Sequence, residues 1–185
     1  MKLKLNLLST FAIAILAIPC AGQDKIVLPA ASGGPDFEAP SSETETEFVK
    51  DALEDNLKEM SWLNAGMEKG TSSELKTQAA QMLDDHKKMD SDLRNYASKK
   101  GILLTDIDGT GNVNFLNVKR KKGPSWDKEW TTEMISKHRK EIKRFEDAQG
   151  FVTDNDLKNL VADTLPVLRS HLETLIKLKA ALGEG

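Results

Sequence analysis

The sequence predicts an all-α protein, a four-helix bundle with a long crossover between its second and third helices. Apolar residues recur in steps of three and four: Leu75, Ala79, Met82, His86, Met89, Leu93 and Tyr96 in one segment, and Leu157, Val161, Thr164, Leu168, His171, Leu175, Leu178 and Leu182 in another. A shorter stripe runs Trp130, Met134, His138, Ile142 and Phe145. Glycines and capping residues cut the chain into four segments of bundle length, and the middle link is far longer than the other two.

Residues 1–22 read as a secretory signal. Lys2 and Lys4 form its basic start, and Leu7 to Ile18 is an apolar run too short to span a bilayer. The small residues Cys20, Ala21 and Gly22 precede Gln23, which predicts cleavage after Gly22. The alternative is a lipoprotein anchored through Cys20. Pro19, and the lack of the Leu-x-(Ala/Gly/Ser)-Cys pattern, argue against it. The expected location is periplasmic or secreted. With the signal removed no cysteine remains, so neither disulfides nor thiolate ligands are available. Loss of Lys2 and Lys4 takes the basic count from 26 to 24 against 29 acids, about minus 5, which disfavours nucleic acid as a partner. No later apolar stretch reaches transmembrane length.

Residues 23–41, with Pro29, Gly33, Gly34, Pro35 and Pro40, have the composition of a flexible tether before a bundle domain at 42–184. Helix one is expected from about Thr44, where Thr44 and Glu47 have capping-box spacing, to about Glu68, with Gly70 ending it. Helix two is expected from Ser72 or Ser73 to Lys99 or Lys100, stopped by Gly101. Helix three opens at Ser125 behind Pro124 and ends near Asp147, before Gly150. Helix four runs from Thr153 or Asp154 to Leu182, with a kink expected at Pro166. The link between helices two and three is long enough to cross the whole bundle, as in ferritin-like topologies.

Within that link, Ile102 to Ile107 and Val113 to Val118 flank Asp108-Gly109-Thr110-Gly111, which reads as a small β-hairpin or a packed loop. Ile102 to Thr110 resembles the first motif of haloacid-dehalogenase phosphatases, but those enzymes need a parallel α/β sheet. Residues 106–117 also resemble a calcium loop, with Asn117 where a bidentate glutamate belongs. The simpler reading of both is a turn stabilised by Asp and Gly.

Four groups of residues carry a wider resemblance: Phe48-Val49 with Asn56 and Glu59; Met82-Leu83-Asp84-Asp85-His86; Trp126-Asp127 with Trp130, Met134 and His138; and Leu165-Pro166-Val167-Leu168-Arg169-Ser170-His171-Leu172. Over about residues 44–182 the chain resembles the bacterial family called domain of unknown function 4142. The resemblance implies an exported, ferritin-like four-helix bundle with no established activity. The chain departs from the family pattern in its hairpin-like connection and in the tryptophans at 126 and 130.

Di-iron ferritin-like sites need a Glu-x-x-His pair on each of two helices, but the residues three before His86 and His171 are Leu83 and Leu168. Oxidase or iron-storage chemistry is therefore not expected. The candidate ligands are His86, His138 and His171 with Glu59, a set that suits zinc, copper or mononuclear iron. Met82 and Met134 each lie one turn before a histidine; as thioether ligands they would favour cuprous copper, and otherwise they fill the core. At about 1.5 Å per residue Glu59, His86 and His138 come out nearly level, with His171 about 10 Å lower. Two readings stay open: one shared metal site, or separate buried histidines each bonded to a neighbour. The corresponding functions are a metal-binding bundle without catalysis, a mononuclear metal enzyme, or a partner-binding envelope bundle without metal. No Ser/His/Asp or Cys/His constellation supports hydrolysis.

Overall fold

The structure is a computed structural model that describes residues 42–107, 118 and 120–183. It contains four long helices: α1 (Ser42–Lys69), α2 (Ser73–Lys100), α3 (Pro124–Phe151) and α4 (Asn155–Gly183). α1 packs on α2 and α3, and α4 on α3 and α2. This is the expected four-helix bundle.

Contacts at the two ends fix the topology. At the lower end the α1–α2 turn meets the start of α3, where the buried Asp127 accepts hydrogen bonds from the Thr71 amide (3.0 Å), the Thr71 hydroxyl (2.8 Å) and the Ser72 amide (2.8 Å). At the upper end the Glu45 carboxylate accepts from the Thr153 amide and hydroxyl and from the Asp154 amide, and Lys100 pairs with Asp154 at 2.6 Å. The end of α2 and the start of α3 therefore lie at opposite ends. α3 thus runs parallel to α2, as a crossover connection between them requires.

Helix ends follow local chemistry. The Ser72 hydroxyl accepts from the Leu75 amide at 3.3 Å, and Gly101, at φ 69°, turns the chain out of α2 while the Ile102 amide bonds Ala97 O at 2.9 Å. Asp154 caps α4 through the Asp156 and Leu157 amides.

Two expectations need correction, and an alternative left open in the connection is narrowed. α1 begins at Ser42, so Thr44 lies inside the helix, and the nearby carboxylate put to use is Glu45, on the partner hairpin. α3 runs through Gly150 to Phe151, four residues beyond Asp147, because one glycine costs a helix only about 1 kcal/mol and the flanking turn packs on the core. Among the described residues there is no strand: Ile102 to Ile107 is a turn-containing segment whose Ile102, Leu104 and Ile107 pack against the upper core. The rest of the hairpin reading, and most of the calcium-loop reading, lie outside the described residues. Asp106 pairs with Lys50 at 3.1 Å. α4 is helical through Pro166 without interruption.

The core is divided. An upper apolar cluster contains Phe48, Leu53, Leu93, Phe145, Leu157 and Leu165; a lower one contains Trp62, Leu75, Met82, Trp130, Met134 and Leu175. Along every helix the change from one cluster to the other falls at the same place: Asn56 and Glu59 on α1, His86 on α2, His138 and Glu141 on α3, His171 on α4. All six are buried.

Candidate metal centre

A buried polar layer between two apolar clusters demands partners for its donors and acceptors. Its height follows from the helix ends. At about 1.5 Å per residue Glu59, His86 and His138 lie about 15, 20 and 21 Å from the lower end of the bundle, and His171, on the descending α4, about 18 Å. The four are level. The offset of about 10 Å expected for His171 is not present, and the extension of α3 by four residues beyond Asp147 accounts for about 6 Å of it.

The three imidazoles face one another, with every pair of ring centroids 5.4 Å apart. One nitrogen of each ring is held by an oxygen. His86 Nδ1 lies 2.7 Å from Asn56 Oδ1, and the Asn56 amide is fixed in that orientation because Nδ2 donates to His86 O at 3.0 Å. His138 Nδ1 lies 3.1 Å from Met134 O, which can only accept. His171 Nε2 lies 3.0 Å from Asp85 Oδ2. Burial holds all three imidazoles below the ordinary range, His138 at about 3. Each ring is therefore neutral near pH 7, and its single proton sits on the nitrogen facing the oxygen.

The other nitrogens carry lone pairs. His138 Nε2 and His171 Nδ1 lie 3.4 Å apart, and His86 Nε2 is buried without a hydrogen-bond partner. Ligand nitrogens of the three rings lie within 4.8 Å of one another. Two lone pairs facing at 3.4 Å repel unless a cation stands between them. Nitrogens at about 2.0–2.1 Å from a tetrahedral ion are themselves about 3.3–3.4 Å apart, so this pair already has the spacing of one tetrahedral edge. The oxygens of Asn56, Met134 and Asp85 set the tautomers as supporting groups do around metal-bound histidines.

A family model described as Domain of unknown function (DUF4142) matches residues 30–178. The chain belongs to the DUF4142 family. No curated protein and no solved structure matches it. The residues that carried the resemblance now have places in this DUF4142 bundle: Asn56 orients His86, Asp127 ties α3 to the α1–α2 turn, and the three histidines form the layer.

The layer also holds a residue that the sequence reading passed over. Glu141, one turn beyond His138 on α3, is buried with both carboxylate oxygens unpartnered. Its signal was an acid at i+3 from a core-facing histidine, obscured by the charged neighbours Lys140 and Lys143. Glu59 Oε2 lies 3.8 Å from His86 Nε2 and 3.2 Å from His138 Nδ1. The latter nitrogen already donates to Met134 O, so Glu59 Oε2 is also without a hydrogen bond. Burial pushes the Glu59 carboxyl well above its usual range, with the neighbouring Glu141 adding to the shift, and burial raises Glu141 to about 8. Met82 and Met134 belong to the lower apolar cluster, where they fill the core.

The layer is not sealed. A groove of about 420 Å³ between α2 and α4 has His86 and His171 in its wall. Asp85, Asp92, Asp156 and Asp163 line it against Lys88 and Lys99. That balance of charge draws cations towards the imidazoles. Asp85, half exposed and bonded to His171, joins the groove to the layer.

Proposed function

We propose that this chain is an exported helical-bundle protein that binds one transition-metal ion through His86, His138 and His171. The observation that carries the reading is the arrangement of the ring nitrogens: each imidazole has one nitrogen on a fixed oxygen and the other turned towards the other two rings, where His138 Nε2 and His171 Nδ1 face each other at 3.4 Å and His86 Nε2 has no hydrogen-bond partner. A histidine that served only the core would spend both nitrogens on protein partners, and His86 does not. Three imidazoles suit zinc and copper, and Glu59 and Glu141 stand close enough to offset the charge of a divalent ion.

The groove supports an ion that exchanges or takes a further ligand, since a purely structural ion needs no approach. A mononuclear metal enzyme is the second reading, and the same groove favours it. In either case the export signal would place the site in the periplasm or outside the cell.

The test is zinc titration of the tag-free protein from residue 23 onward, followed by thermal melting. Wild type gains stability with zinc, as binding to the folded state requires. His86→Ala, His138→Ala and His171→Ala each lose the gain. Equal responses in all four proteins would overturn the reading.

A further inference from the structure

Three orphaned oxygens and one orphaned nitrogen share a small buried volume: Glu59 Oε2, Glu141 Oε1 and Oε2, and His86 Nε2. One ligand atom from each of Glu59, His86 and Glu141 lies within 4.8 Å of those from the other two. Burying a carboxylate without a hydrogen bond or counter-charge is costly, and among the described residues no hydrogen bond reaches the Glu141 oxygens. Lys137 and Arg144 flank Glu141 on α3, but Arg144 is engaged with Asp55 at 2.7 Å and Lys137 lies over the Trp62 ring. Protonation relieves that cost in the metal-free protein, and a metal ion that displaces the protons satisfies all four atoms together.

We infer that Glu59, Glu141 and His86 form a second metal position, beside the three-imidazole position and sharing His86 with it. The two differ in chemistry. Two carboxylates and one imidazole make an oxygen-rich set suited to manganese or ferrous iron, whereas three imidazoles suit zinc and copper. His86 Nε2 is a single lone pair and serves one ion at a time, because Nδ1 is bonded to Asn56. With both positions filled, one of them must be completed by water or an added ligand. His138 and His171 have facing nitrogens already 3.4 Å apart, and His171 lines the groove. The inference deepens the metal-binding reading and shares His86 with it, but it rests on Glu59 and Glu141 where that reading rests on His138 and His171, so either can fail alone.

The test uses manganese(II), followed by its electron paramagnetic resonance signal, against the same protein titrated with zinc. Wild type binds manganese. Glu141→Gln, which keeps shape and removes charge, weakens manganese by more than the roughly 10- to 100-fold that follows loss of a supporting hydrogen bond, and it retains zinc. His171→Ala does the reverse. Glu59→Gln serves as the second carboxylate variant should Glu141→Gln melt early in chelator, and it loses manganese likewise. Absence of manganese binding in wild type, or manganese affinity unchanged in the carboxylate variants, overturns the second position. So does loss of manganese in His171→Ala, which would mean one merged site. Zinc binding indifferent to His171→Ala would instead overturn the three-imidazole reading and leave this one standing.

Discussion

Replacing Asn56 with alanine tests whether the layer is organised for a ligand or only for stability. Asn56 is fully buried; its Oδ1 accepts from His86 Nδ1 at 2.7 Å and its Nδ2 donates to His86 O at 3.0 Å. Without it the Nδ1 proton is buried and unsatisfied, at a cost of about 1–3 kcal/mol. The imidazole can then move that proton to Nε2, which has no partner in the structure. That tautomer offers the metal an N–H bond where it needs a lone pair. Loss of such a supporting group lowers metal affinity roughly 10- to 100-fold, equivalent to about 1.4–2.7 kcal/mol of binding. Urea unfolding in chelator measures the first effect, and competition for zinc against a chromophoric chelator measures the second. A folded variant with zinc affinity within about twofold of wild type would refute the tautomer argument, whatever its stability.

The metal-free layer should also give an unusual pH profile. A histidine held near pKa 3 in the native state refuses protons that the unfolded chain takes up, so His138 removes about 1.4 kcal/mol of stability per pH unit as pH falls from 6.5 towards 3. Glu141, raised to about 8, keeps a proton that the unfolded chain loses above pH 4.5, so its contribution falls by a similar amount per unit as pH rises from there towards 8. In chelator, Glu141→Gln should therefore flatten the decline between pH 6.5 and 7.5 by about 1.4 kcal/mol in urea unfolding; an unchanged slope would contradict the burial argument. At Gly66 two effects oppose one another. Alanine normally stabilises a helix by about 1 kcal/mol over glycine, but a Cβ here would lie 2.6 Å from Trp130 Cζ2, on an indole fixed by its bond to Trp62 O. Overpacking of about 1–3 kcal/mol prevails, so Gly66→Ala should lower the melting temperature, and a rise would show that the indole yields.

The fold was legible because it rests on repetition. The stripes through His86 and His171 have the period of a buried helix face, and Ser72 and Gly101 mark the ends of α2 by local chemistry alone. Ends set by distant contacts were not legible. Gly150 looks like a stop and is not one, and Glu45 looks like part of a local cap yet serves Thr153, 108 positions away. The histidines were found because each replaces an apolar residue in a stripe, but whether they meet depends on helix ends, so the sequence left a shared site and separate histidines both open. Glu141 was overlooked for a related reason. On a helix surface rich in lysine and glutamate, one inward-facing acid has no local mark, and only packing reveals that it is buried.

Anomalous diffraction at the zinc edge from crystals of the zinc-loaded protein addresses the central claim most directly. The account predicts a peak inside the layer, about 2.0–2.1 Å from His86 Nε2, His138 Nε2 and His171 Nδ1, with the Asn56, Met134 and Asp85 oxygens still bonded to the opposite ring nitrogens. A peak confined to the acidic rim of the groove, or zinc-loaded crystals in which the imidazoles bond only to protein, would contradict it.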